Sequence, residues 1–286
     1  MRKGGFFKSN WVYLIWLVIY ITLSWLILGA SLQSFIITMI AYAISVAIAL
    51  SPIGEAILRL TEGCRRLKTR EEIETLLPLF EEVYQDAKEK YPGLNNNVQL
   101  FLTDKMYVNA FAIGQRTVAI TKGTVETFSQ DELKGVIAHE LGHISHGDTK
   151  ALLLNVVGNG LFTILIMFVR LLMATLHALS ESIEAMAALS IIFSVLRFIF
   201  DVALLLFLLL GQIILSMNSR YGEYLADEFA SRAGFGDELI SALYILQKTS
   251  LPGGLTLLER LRASHPHLAD RIARLERLQG AEQYAG

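Results

Sequence analysis

Ser129-Gln-Asp-Glu-Leu-Lys-Gly-Val-Ile-Ala-His-Glu-Leu-Gly-His-Ile-Ser-His146 is the stretch from which the rest of the chain is read. Ser129 and Glu132 are spaced as in a capping box, and Asp131 and Glu132 suit the positive end of a helix dipole. Leu133, Val136, Ile137 and Leu141 follow at helical spacing, so the segment predicts a helix. On that helix His139 and His143 lie one turn apart, and both imidazoles leave the same face and can grip one ion. Glu140 stands at the edge of this face, where a carboxylate can take a proton from an attacking water. This is the H-E-x-x-H spacing of zinc hydrolases. An exposed helix with two incidental histidines is the plain alternative, and the capped helical context disfavours it.

The chain has 286 residues, 53% of them hydrophobic and only 18% charged, with a mean hydropathy of +0.46. About a quarter of the residues in an ordinary soluble domain are charged. The deficit predicts a membrane protein that also carries a sizeable soluble part. The net charge is −2, and no Lys/Arg cluster lies near stacking aromatics, so nucleic acid is not an expected partner. Cys64 is the single cysteine, which excludes an internal disulfide and a cysteine-rich metal site and fits a reducing side of the membrane.

Ahead of the motif, Arg2, Lys3 and Lys8 precede an uncharged run, Trp11 to Ala30, long enough to cross a hydrocarbon core of about 30 Å. It is too long for the apolar part of a signal peptide, and a second apolar stretch, Phe35 to Leu50, follows at once, which predicts a membrane hairpin. Trp11, Trp16 and Trp25 suit interfacial rings or lipid contacts. Arg59, Arg65, Arg66, Lys68 and Arg70 cluster beyond Pro52 and Gly54, and Ser31 to Ser34 make an uncharged turn. The positive-inside rule then puts both ends of the hairpin in the cytoplasm. From Thr69 the character is that of a soluble domain. Thr69 and Glu72 read as a capping box for a helix with an apolar stripe, which Pro78 is expected to kink or divide. Val98–Thr103, Val108–Ile113 and Thr117–Thr121 read as short strands.

After the motif, Ala151 to Val169 reads as a third span, and Leu171 to Ser190, which contains Glu181 and Glu184 but no Lys or Arg, as an outer segment. The fourth span is placed near Val202 to Met217, with the preceding stretch interfacial. A single long tilted helix with Arg197 and Asp201 paired is the alternative. Helices are expected over Asn218–Arg232 and Asp237–Gln247, with another after Pro266. The resulting division is 1–54, N-terminal transmembrane hairpin; 55–150, first part of a zincin domain; 151–217, second hairpin; and 218–286, the C-terminal part of the zincin domain.

Two histidines leave a catalytic zinc short of one protein ligand. No H-x-x-G-x-x-H extension follows His143, so a third histidine of that type is excluded. In Ser219-Arg-Tyr-Gly-Glu223-Tyr-Leu-Ala-Asp227, Glu223 and Asp227 share one helical face and Glu228 lies off it. One carboxylate can bind zinc while the other accepts the free N–H of a ligating histidine.

His-Glu-Leu-Gly-His followed, after a membrane hairpin, by Glu223-Tyr-Leu-Ala-Asp227 resembles the HtpX family of membrane zinc metalloproteases, related to the CAAX prenyl endoproteases and more remotely to gluzincins. The resemblance covers nearly the whole chain. It implies His139, His143 and Glu223 as ligands of one Zn2+ per chain, Glu140 as general base and Asp227 as the partner of a ligating histidine. Asn109-Ala-Phe-Ala112 is similar to an edge strand that pairs with substrate backbone, which implies substrate contacts for Asn109, Ala110 and Phe111. Ser264-His-Pro-His-Leu-Ala-Asp-Arg-Ile272 is similar to the family's H-P-x-x-x-x-R-I motif and implies that His265 and Arg271 stabilise the oxyanion, with His265 alternatively on zinc in a resting state. Gly222 departs from the family, which often has a basic residue before the glutamate. His146, His177 and His267 match no role.

The expectation is a mainly α membrane protein of about four transmembrane helices, with a cytoplasmic zincin-type α+β metalloprotease domain holding a small sheet. Its partners are the lipid bilayer and polypeptide substrates; the resemblance implies that these are membrane proteins and that the role is quality control or peptide processing. With no phosphate-binding loop, ATP is not an expected partner. The implied location is the cell membrane, multi-pass, with both termini cytoplasmic. An intramembrane protease is disfavoured by the polar flanks Asp131, Glu132, Lys134, Asp148 and Lys150. A non-catalytic scaffold or transporter with structural zinc is the alternative from another class, with His265 as a fourth ligand.

Overall fold

The computed structural model describes residues 11–150, 153, 160–181, 187–249 and 267–283. Its membrane part begins with helices α1 (Trp11–Ile27) and α2 (Leu32–Ala49), both apolar and joined by a tight turn. Ser31, expected to lie in that turn, caps α2: its hydroxyl accepts from Ser34 N while Ser34 answers at the Ser31 backbone. Trp25 Nε1 donates to Ser31 O at 2.9 Å and fixes the turn from the other side. Trp16 does not face lipid. It is 3% exposed and stacks on Phe207 with centroids 4.9 Å apart.

Two later helices complete this part, α7 (Gly160–Glu181) and α8 (Ala187–Ala230). Four helices and the sheet lie between these two pairs in the described chain. Among the described residues, Leu32–Ala49, Phe162–Leu179 and Ser190–Phe207 are long and apolar enough to cross a membrane, and Leu14–Ile27 is a shorter apolar helix. Both later boundaries differ from expectation. Leu171 to Glu181, expected outside, continues α7, because Arg170 does not end the span: its guanidinium lies 3.0 Å from Asp201 on α8, so the charge is paired between helices. The stretch before Val202, expected to be interfacial, belongs to the same 44-residue helix as the span, as in the long-helix alternative. Arg197 also faces Asp201, at 3.9 Å.

In the soluble unit, α3 (Pro52–Thr61) starts at Ser51 with proline in its first turn. Helix α4 (Arg70–Lys90) carries the capping box of Thr69 and Glu72 and runs unbroken through Pro78. Strands β1 (Gln99–Thr103), β2 (Ala110–Ile113) and β3 (Thr117–Thr121) form one sheet in the order β1-β3-β2. The β1–β3 pair is parallel and β2–β3 antiparallel, with Phe111 opposite Ala119. Within the basic cluster, Arg65 is already engaged, bridging by its backbone to Leu102 and by its guanidinium to Glu72 and Asp104 at 2.7 and 2.8 Å. The β2–β3 turn is tied to the membrane exit, where the buried Glu55 accepts from Gln115 N at 2.8 Å.

A short helix, α5 (Lys122–Thr127), leads to α6 (Gln130–His146), the centre of the domain. Ser129 and Glu132 form its capping box. Helices α4, α8 and α9 (Gly236–Thr249) and strands β2 and β3 all pack on α6, so it is buried around most of its circumference rather than along one stripe. Leu133, Ile137 and Leu141 join Leu76, Phe80 and Val83 of α4, Val118 and Ile120 of β3, Phe229 of α8 and Leu239 and Leu243 of α9 in one core. A π-helical turn, Ser231–Phe235, joins α8 to α9, and α10 (Leu268–Gln283) closes the core with Ile272 and Leu275.

Ile137 is 0% exposed whereas Ile73 is 42% exposed. Ile137→Ala is therefore expected to cost about 2–5 kcal/mol through the cavity it leaves, and Ile73→Ala less than about 1 kcal/mol. Thermal unfolding in detergent checks the order, and an equal shift for both would contradict it.

Candidate metal centre

Helix α6 presents His139 and His143 to α8, which presents Glu223. The two Nε2 atoms are 3.2 Å apart. Glu223 reaches both, with Oε2 3.4 Å from His139 Nε2 and Oε1 3.5 Å from His143 Nε2. Ligands at about 2.0–2.1 Å from a tetrahedral zinc stand roughly 3.3 Å from one another. The histidine pair has that spacing, each histidine has one Glu223 oxygen at a similar distance, and the nitrogen and carboxylate chemistry suits that metal. Among the described residues, His139, His143 and Glu223 form the group of potential ligands.

Behind the ligands is a layer of charges. His139 Nδ1 lies 2.9 Å from Asp227 Oδ1, and His143 Nδ1 lies 3.2 Å from Asp148 Oδ2. Arg271, on α10, donates from Nε and Nη2 to the two Asp227 oxygens at 2.9 and 2.6 Å, and its Nη1 lies 2.9 Å from Glu223 Oε2 as an ion pair. Burial and the Arg271 charge oppose protonation of His139, but hydrogen bonds to Asp227 and Glu223 prevail and raise its pKa. For His143, burial is outweighed by the contacts to Asp148 and Glu223, and its pKa is held well above the ordinary imidazole value. Burial pushes the Asp227 carboxyl up, yet His139 and Arg271 hold it below its usual range.

Of the other predicted residues, Glu140 is buried on α6 beside the pair, 7% exposed, and its charge acts on both His143 and Arg271. Arg271 is in the site but not in the posture that an oxyanion role implies: its Nε, Nη1 and Nη2 all face carboxylates. His265 lies outside the described residues. Ala110 and Phe111 are in the edge strand β2, against α6, with Asn109 exposed just before it. The Asn109 carbonyl accepts from Thr121 N at 3.0 Å. By antiparallel alternation the main-chain groups of Ala110 and Ala112 then face the open edge. Glu228 pairs with Arg232 at 2.5 Å and with Arg274 at 3.6 Å, off the site. His146 faces the Gly142 carbonyl at 2.8 Å, and His267 is exposed at the start of α10.

Asp148 is the site residue that the sequence reading missed, having been taken only as a polar flank. The available signal was Gly147, a helix-ending residue between His143 and Asp148. Its left-handed conformation (φ 80°) turns the chain, and the aspartate that follows lies beside His143.

Residues 72–279 of the chain match peptidase family M48. Protease HtpX of Shewanella oneidensis is 31% identical over 237 residues, which cover 76% of this chain and 78% of that protein. Protease HtpX of Chromohalobacter salexigens is 29% identical over 221 residues, 70% of each. The crystal structure of S. mikatae Ste24p is similar with a TM-score of 0.49 and 22% identity, covering 85% of this chain but only 57% of that one.

Glu223→Ala is expected to lower zinc retention sharply, because one of three donors goes, while Glu228→Ala leaves it nearly unchanged. Zinc content measured against a competing chelator checks this. Equal content in Glu223→Ala and the parent chain would remove Glu223 from the site.

Proposed function

The chain belongs to peptidase family M48, and on that premise we propose that this membrane metalloprotease is a zinc endopeptidase that cleaves membrane or membrane-associated polypeptides at the cytoplasmic face. The observation that carries the reading is the convergence of His139, His143 and Glu223 within 3.2–3.5 Å of one another, with Glu140 buried on the same helix.

In this reading His139, His143 and Glu223 hold the ion. An ion held there would supply Lewis-acid chemistry to the scissile carbonyl and to a water. Glu140 takes the proton of the attacking water and later passes it to the leaving amine. Asp227 accepts the Nδ1–H of His139, which keeps the Nε2 lone pair aimed at the metal. Arg271 holds Glu223 and Asp227 in register. The oxyanion role then falls to His265. An extended peptide adds to the open edge of β2 through the backbone of Ala110 and Ala112, with Asn109 and Phe111 beside it. The catalytic unit is divided between 55–150 and 218–286 around a membrane hairpin, and its second boundary falls inside α8. Proteolytic quality control or peptide processing fits a metal centre whose Glu223 is carried by a helix continuous with the apolar bundle. A structural zinc would need a closed set of four ligands, with His265 as the fourth.

Glu140→Gln is expected to retain zinc and lose turnover by several orders of magnitude, since the ligands stay and the base goes. Turnover of a protein substrate such as casein by zinc-loaded enzyme checks this, and activity near the parent level would sink the mechanism.

Orientation is tested separately. Cys64 is a poor reporter, because burial and the nearby Glu62 push its thiol up to about 11. Cysteines introduced at the exposed Glu71, in a Cys64→Ser chain, and at Ser182 serve instead. In intact cells or spheroplasts an impermeant maleimide is expected to label position 182 and to reach position 71 only after permeabilisation. The reverse pattern would invert the topology and defeat the cytoplasmic assignment.

A further inference from the structure

Each histidine of the centre has a carboxylate at its Nδ1, but the two carboxylates are supplied differently. Asp227 comes from α8, the helix that supplies Glu223, and Arg271 holds it by two hydrogen bonds. Asp148 comes from the chain just past α6, and its side chain is 19% exposed. On its other side Asp148 abuts residue 222. A Cβ added to Gly222 would stand 2.7 Å from Asp148 Oδ2 and 3.2 Å from its Cγ. That Oδ2 is the oxygen that faces His143 Nδ1 at 3.2 Å.

Gly222 lies inside the continuous helix α8, where glycine is the least favoured residue after proline. Its φ is not in the left-handed region, so backbone conformation does not demand it. Space does. The carboxylate is the flexible partner in this contact, and a Cβ at 222 would force it to shift from its present place beside His143.

We infer that Asp148 is a positioning residue for His143 and that Gly222 is the seat that admits it. A carboxylate accepting the Nδ1–H fixes the tautomer and the ring, and leaves the Nε2 lone pair directed at the ion. This inference rests on the proposed metal site at His139, His143 and Glu223.

The test uses the full chain in detergent, with zinc as the probe, and measures zinc affinity against a competing chelator alongside thermal unfolding of the metal-free protein. Gly222→Ala is expected to weaken zinc roughly ten- to a hundred-fold, the range for loss of a partner behind a ligating histidine. Its metal-free unfolding temperature should not fall, because alanine is the better helix former. Asp148→Ala should weaken zinc by a similar factor, and Asp148→Asn, which keeps an accepting oxygen, by less. The double variant Gly222→Ala/Asp148→Ala should bind no more weakly than Asp148→Ala alone, since both changes remove the same contact. Unchanged affinity in Gly222→Ala, additive losses in the double variant, or a loss matched by a lower unfolding temperature would each overturn the inference. A parent chain that holds no zinc would overturn the metal site and this inference with it. Tight zinc in the parent with no effect at 148 or 222 would overturn the inference alone.

Discussion

Glu223 reaches two histidines on a neighbouring helix only because α6 and α8 lie unusually close. At Gly142, between the two histidines, a Cβ would stand 2.8 Å from the Cα of Ala226 on α8. Small residues on both helices allow this approach, and the surrounding core fixes it: Leu141 and Ala226 are both 0% exposed, and Phe229 is 1% exposed. Packing thus sets the donor separations before any ion contributes, and that is preorganisation of the kind a metal site needs.

The same packing creates an electrostatic demand. Glu140, Glu223, Asp227 and Arg271 are all under 10% exposed, and buried charges are costly unless paired. Three carboxylates against one guanidinium leave a formal excess of two negative charges beside two imidazoles. A divalent cation has the charge to balance it, and the raised pKa values of His139 and His143 express the same imbalance in terms of protons. The Arg271 guanidinium faces Asp227 and Glu223 and offsets part of that charge.

What could be read from the sequence was what depends on near neighbours in the chain. The capping boxes at Thr69 and Ser129, the strands and the H-E-x-x-H face are local patterns, and each appears where its residues predict. The pairing of Glu223 with that face needed one further step, the shared helical face with Asp227. Contacts between distant elements were not legible. Arg170 looked like the end of a span because Asp201, which pairs with it at 3.0 Å, is on another helix. Arg271 looked like a group free to face substrate because its carboxylate partners come from α8. Gly222 looked like a weak point in a helix, and its reason is a side chain from beyond α6.

Helix α8 is a single rod that begins among the membrane helices and ends at the metal centre. Phe207 stacks on Trp16 within the apolar bundle, and Glu223 lies farther along the same rod, about 24 Å away at a helical rise of about 1.5 Å per residue. A tilt of about 5° pivoting at Phe207 carries the Glu223 carboxylate by about 2 Å, roughly the length of a metal–ligand bond. One helix thus joins the aromatic contact at Phe207 to the ligand position at Glu223.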